Sequence, residues 1–333
     1  MNISRRRALG LIAASATVPL AASCGETPKE RVPVTLMLDW VPNTNHTGIY
    51  VARDFGFYTD NGLDVTIVEP GTAGAEAAVA SGAAHFGVSY QEQVTLARVQ
   101  DVPLVSVAAI IEHNTSGFAS PVDRKIRTPR DFAGKKYGAF GYGFERPVLS
   151  ALMQCDGGDA HAVEQIEFVD IGTTDMFVAW ERGDVDFTWI FEAWDGIRAQ
   201  QAGVELNYAR LTDLDCIPDY YTPVLVTSEA MIATHPDIVQ RFVRATALGY
   251  QLAINEPSRA AEALIKAVDG IDADLARESQ AWLSPRYAEG AGRWGEQKRE
   301  TWSAYATWLV DRGLLEHAIN PNNAFDNSFI DNA

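Results

Sequence analysis

The chain of 333 residues carries 27 basic and 44 acidic side chains, a net charge of −17, and 47% of its residues are hydrophobic. That anionic excess repels phosphate backbones and no basic run after Arg7 offsets it, which excludes nucleic acid as a general partner. The hydrophobic share is that of a folded rather than a disordered chain, and the length suffices for two lobes with separate cores.

Residues 1–23 have the three parts of an export signal: Ser4-Arg5-Arg6-Arg7, an apolar stretch from Ala8 to Leu20, and Ala21-Ala22-Ser23 before Cys24. SRRRALG resembles a twin-arginine signal. LAASC resembles a lipobox with its leucine one place early, which makes Cys24 the lipidation candidate and 24–33 a polar tether. The apolar run is too short to span a bilayer, so the expected membrane link is a lipid anchor. Cys155 and Cys216 lack the short paired spacing of a zinc or redox site; a disulfide and two separate thiols both fit.

From Val34 onward, short apolar runs alternate with helical stretches, the pattern of α/β lobes with largely parallel sheets. VTLMLD, LDVTIVE, HFGVSY and PLVSVAAII read as strands, separated by helices over HTGIYVARDFGF, AGAEAAVASGA and EQVTLARVQ. SPVDRKIRTP, rich in proline and charge, reads as a crossing. A second series follows, with strands KKYGAF, QIEFVDI, DFTWIF and NYARL and helices from Glu145 to Gln154, over DMFVAWERG and over WDGIRAQQAG. TPVLVTS reads as a return strand and the remainder as helices. The expected organisation is one lobe of 34–122 plus 229–333, a second lobe of 123–228, and a ligand cleft between them.

Ligands of open α/β sheets sit beyond the carboxyl ends of strands, which selects the candidate site residues. After the first strand, Asp39-Trp40-Val41-Pro42-Asn43-Thr44-Asn45-His46 offers an aromatic plane, amides and an imidazole; alternatively Trp40 is core and Asn43 to Asn45 cap a helix. After HFGVS, Ser89 reads as a helix cap with Glu92 completing a capping box, leaving Tyr90 and Gln91 for the pocket. The loop FGYGFERP contributes Tyr142 and Glu145, and its glycines lack the spacing of a dinucleotide site. Trp189, Glu192 and Trp194 end a strand with a carboxylate among aromatics, and Tyr221 stands at the second crossing. The six histidines form no HExxH motif and no GxSxG elbow occurs, so no catalytic residue, metal or cofactor is expected.

LDWVPNTNHTGIYVA, WIFEAWDG, DYYTPVLVT and RWGEQK together resemble the bacterial solute-binding lipoproteins for thiamine-pyrimidine precursors and the related yeast pyrimidine synthase. The resemblance implies a two-lobe type 2 periplasmic-binding fold, exported and extracytoplasmic. Such a protein closes on a small heterocyclic ligand and hands it to an ABC permease and its ATPase. Formylaminopyrimidine is the ligand it suggests, with riboflavin or another heterocycle as the alternative within the family and a pyrimidine-synthase-like enzyme as the alternative outside it. Trp40, Asn43 and His46 match the first pocket motif; Trp189, Glu192, Trp194 and Tyr221 fall in the second-lobe and crossing motifs. The yeast enzyme's cysteine-rich cluster has no counterpart here, which favours a binding protein over a synthase.

Overall fold

A computed structural model describes residues 30–71, 74–172 and 176–331. The expected export signal and the lipidation site Cys24 lie outside these residues.

The strands in chain order are β1 (Val32–Met37), β2 (Leu63–Val68), β3 (Phe86–Ser89), β4 (Leu104–Ala109), β5 (Ser116–Pro121), β6 (Lys136–Ala139), β7 (Glu167–Asp170), β8 (Phe187–Phe191), β9 (Leu206–Arg210) and β10 (Val224–Ser228). They form two five-stranded sheets, ordered β2-β1-β3-β10-β4 and β7-β6-β8-β5-β9. The two sheets share one plan. β10 runs antiparallel between β3 and β4, and β5 antiparallel between β8 and β9. Each antiparallel strand is the first the chain lays down after changing lobe, and it runs opposite to the strands that βαβ connections bring into the same sheet.

This plan moves the lobe boundaries. The chain changes sheet within 110–115 and again within 211–223, whereas the sequence places the divisions at 122/123 and 228/229, each one strand late. SGFASP has only one large apolar residue and little β-branched character, so the proline- and charge-rich run after it draws the eye instead; in the structure it is a nearly fully buried strand of the second lobe. TPVLVTS supplies β10, wholly buried in the first sheet.

The helices are α1 (Thr47–Asp54), α2 (Phe57–Asp60), α3 (Gly74–Ala80), α4 (Gln91–Val99), α5 (Glu145–Cys155), α6 (Met176–Arg182), α7 (Ile197–Gln201), α8 (Glu229–Thr234), α9 (Pro236–Asn255), α10 (Pro257–Ala267), α11 (Ala273–Leu283), α12 (Arg299–Asp311), α13 (Pro321–Ala324) and α14 (Ser328–Asp331). One face of the first sheet packs Leu36 and Val107 against Ile49 of α1 and Phe242 and Tyr250 of α9. The other face packs Leu104 and Val224 against Val94 of α4 and Trp302 of α12. In the second lobe Phe118, Tyr137 and Phe187 pack on Leu149 and Leu152 of α5, and this core is completed by Tyr305, Trp308 and Leu309. Helix α12 therefore belongs to both lobes, with Trp302 in one core and Tyr305 onward in the other.

Glycine permits one close crossing. A Cβ on Gly249 of α9 would stand 1.9 Å from the Gly48 carbonyl oxygen of α1, and one on Gly48 would stand 2.3 Å from the Tyr250 ring. Cys155 and Cys216 form a disulfide, which joins the end of α5 to the second crossing. The indole Nε1–H of Trp308 donates to the Cys216 carbonyl at 2.5 Å, so α12 is also held to that crossing.

Candidate functional site

Between the lobes, at the carboxyl ends of β1, β3, β6 and β8, lies a cavity of about 300 Å³. Its first wall is the turn after β1. The Asn43 carboxamide accepts the Asn45 N–H at 2.9 Å, and Nδ1 of His46 accepts the Asn43 N–H at 3.2 Å, a reciprocal cap on the single helical turn Thr44–His46. From behind, Tyr250 donates to the Asn45 carbonyl and Tyr287 to the Thr44 carbonyl, each at 2.6 Å. This bracing fixes Asp39, Trp40 and Asn43 on the cavity surface.

Because the backbone N–H of Asn43 can only donate, His46 Nδ1 carries the lone pair and its ring proton sits on Nε2. Nε2 lies 2.6 Å from Asp39 Oδ1. Burial opposes ionisation of Asp39, but the interaction with His46, together with the Tyr90 hydroxyl that faces it, outweighs burial and holds the carboxyl below the ordinary carboxylate range. Asp39 is thus an ionised acceptor at the edge of an aromatic box.

The box takes rings from both lobes. Trp40 meets Phe140 edge-on at 5.6 Å, and Tyr90 meets Tyr142 at 6.0 Å and Phe191 at 6.4 Å. Trp189 lines the cavity with its indole N–H fixed on Ser116 Oγ at 2.9 Å, and Trp194 lines it from the π-helical turn after β8. Glu145 organises the glycine loop. It accepts the Tyr137 hydroxyl at 2.7 Å and the N–H groups of Phe140 and Tyr142 at 3.1 and 2.9 Å; burial still raises its pKa. Asp195 and Arg198 complete the polar lining of the second lobe.

Of the residues singled out from sequence, Trp40, Asn43, Tyr90, Tyr142, Glu145, Trp189 and Trp194 come together on this cavity. Four do not. His46 is fully buried behind Asp39. Gln91 and Tyr221 bond each other instead, Tyr221 N–H to Gln91 Oε1 at 2.8 Å and Gln91 N–H to the Tyr221 carbonyl at 3.1 Å, and the Tyr221 hydroxyl accepts the Lys298 N–H. They tie α4 and α12 to the second crossing. Glu192 pairs with Arg210 on the far side of the strand, because alternation along β8 turns Trp189 and Phe191 to the cavity and Ile190 and Glu192 away from it.

The same alternation could have selected Phe191, and position at the end of β1 could have selected Asp39. Glu92 was hidden by its capping-box spacing. The cap position of α4 is Tyr90, one residue later than expected, while Ser89 donates to Glu76 at 2.5 Å; Glu92 is left buried on the cavity lining.

A family model described as NMT1/THI5 like matches residues 43–260. The formylaminopyrimidine-binding protein of Halalkalibacterium halodurans is 29% identical over 299 residues, which are 88% of this chain and 89% of that protein. The 4-amino-5-hydroxymethyl-2-methylpyrimidine phosphate synthase of Legionella pneumophila is 24% identical over 70% of this chain and 73% of its own. Among solved structures, a zinc-bound ligand-binding component of an ABC-type import system from Staphylococcus aureus matches 91% of this chain and 99% of its own, at a TM-score of 0.69 and 13% identity. With the two sheets described above, that likeness shows the expected two-lobe periplasmic-binding fold.

Proposed function

Since the chain belongs to the NMT1/THI5-like family, we propose that it is the extracytoplasmic ligand-binding component of an ABC importer, carrying a thiamine-pyrimidine precursor of the formylaminopyrimidine kind. The observation that carries this reading is the ionised Asp39 set in a box of aromatic rings from both lobes. An aminopyrimidine offers such a site a flat ring to stack and N–H donors for a carboxylate that can only accept. A cavity of about 300 Å³ is at the small end for ligand sites, which suits one substituted ring better than the three fused rings and sugar-alcohol chain of riboflavin.

The reading is of a receptor and not an enzyme. His46, the one imidazole of the first motif, has both ring nitrogens engaged and no surface on the cavity, so it is placed to support a binding group and not to move a substrate proton. Rings contributed by both lobes make closure the means of retention, and the closed form is what a permease and its ATPase would recognise. Acylation at Cys24 would hold the protein at the membrane surface.

Thermal unfolding of the purified protein with formylaminopyrimidine, hydroxymethylpyrimidine, thiamine or riboflavin tests this. A ligand at about one hundred times its dissociation constant adds roughly 2.7 kcal/mol to stability. Stabilisation by a pyrimidine is expected; stabilisation by riboflavin alone would replace the proposed ligand.

A further inference from the structure

Glu92, the second residue of α4, is 3% exposed, lines the cavity, and has an Oε2 with no hydrogen-bond partner among the described residues. It stands where the connections between the lobes converge. From the second crossing the Tyr220 hydroxyl faces it, and from α12 the Tyr305 hydroxyl, their rings 4.5 Å apart; Asn114 of the first crossing faces Tyr220. The Tyr220 hydroxyl is near enough to favour the carboxylate, yet neither hydroxyl makes a hydrogen bond of regular geometry to it. Burial pushes both phenols well above their ordinary range, so neither supplies a charge. Behind Asn114, Asp219 is paired with His113. The other charged groups lining the cavity are Asp39 from the turn after β1, Glu145 from α5, and Asp195 and Arg198 from the second lobe.

Burial without a cation pushes the Glu92 carboxyl up to about 8, its own backbone N–H and the Tyr220 hydroxyl offsetting only part of the rise. Among the carboxyls that line the site, two are driven apart by their surroundings: Asp39, ionised and able only to accept, and Glu92, which keeps its proton at neutral pH and can donate it. We infer that Glu92 is a specificity-determining residue of the cavity, a neutral acid that donates its O–H to a carbonyl acceptor on the ligand, such as the formamide oxygen of a formylamino group. This rests on the ligand class proposed above and adds a requirement to it, since a donor at this point favours a ligand that carries an acceptor over the bare amine.

The test is calorimetric titration with formylaminopyrimidine between pH 6.5 and 9.5, on the wild type, Glu92→Gln and Glu92→Leu, beside the corresponding amine without its formyl group. In parallel, carboxyl carbon NMR of the ligand-free protein follows the resonance that Glu92→Gln removes. The expected result is a resonance that titrates near pH 8, with wild-type affinity flat to that point and then falling about tenfold per pH unit. Glu92→Gln, whose amide also donates, should bind about threefold more weakly at pH 6.5 and lose the alkaline limb. Glu92→Leu should weaken the formyl ligand at least tenfold and the amine by much less. A resonance titrating near pH 4 to 5, or binding with the same pH profile in wild type and Glu92→Gln, overturns the inference and leaves the proposed ligand standing. No binding of formylaminopyrimidine at pH 6.5 overturns the proposed ligand, and the donor role with it.

Discussion

His46 Nε2 lies 2.6 Å from Asp39 Oδ1, so a side chain wholly outside the cavity helps hold the charge of one inside it. Without the imidazole, burial acts on Asp39 with less opposition and its carboxyl rises. A ligand N–H bound to a charged acceptor gains about 1.5–3 kcal/mol, so His46→Ala, which frees that acceptor to shift and lets its carboxyl rise, should weaken formylaminopyrimidine binding at pH 7 by up to roughly tenfold. The sign with pH follows from the lowered carboxyl. Wild-type binding is retained as pH falls and is lost only below the ordinary carboxylate value of about 4, whereas in His46→Ala the loss begins at higher pH. Calorimetry across that range on both proteins checks it, and superimposable profiles would remove His46 from ligand binding.

Trp40 is only half-buried and meets the second lobe edge-on at Phe140. Its indole is therefore worth more to a bound ring than to the fold. Trp40→Ala should raise the dissociation constant at least tenfold while moving the melting temperature of the ligand-free protein by no more than about 3 °C. An unchanged dissociation constant would take Trp40 out of the site.

Gly249 connects packing to binding. A methyl there meets the Gly48 carbonyl, and the next residue, Tyr250, holds the Asn45 carbonyl of the binding turn. Overpacking of this kind costs about 1–3 kcal/mol, so Gly249→Ala should lower the urea midpoint and, by displacing α9 from α1, also weaken ligand binding. A stability loss with unaltered affinity would show that the turn is held without Tyr250.

Much of this site was legible in sequence because strand ends announce themselves. Trp40, Tyr90 and Tyr142 each follow an apolar run, Trp189 lies within one close to its end, and all four reach the cavity. Direction was harder to read. Glu192 and Phe191 are neighbours, and only the alternation of β8 decides which one faces the ligand. Gln91 and Tyr221 are distant in sequence and find each other only once both crossings are laid down. The lobe boundaries slipped for a similar reason: β5 and β10 owe their places to long-range antiparallel pairing, which leaves no local periodic trace.

The sharing of α12 between two cores bears on how the molecule is made. Every strand of the second sheet precedes residue 211 and α5 packs on its apolar face, yet that core is completed only by Tyr305, Trp308 and Leu309. During synthesis that core lacks its last large side chains until nearly the whole polypeptide has emerged, and interruption before Arg299 would leave apolar surface that proteases and neighbouring chains can attack. Cutting at the crossings would likewise yield no pair of self-sufficient halves. The core of the second lobe is thus finished from the tail of the chain.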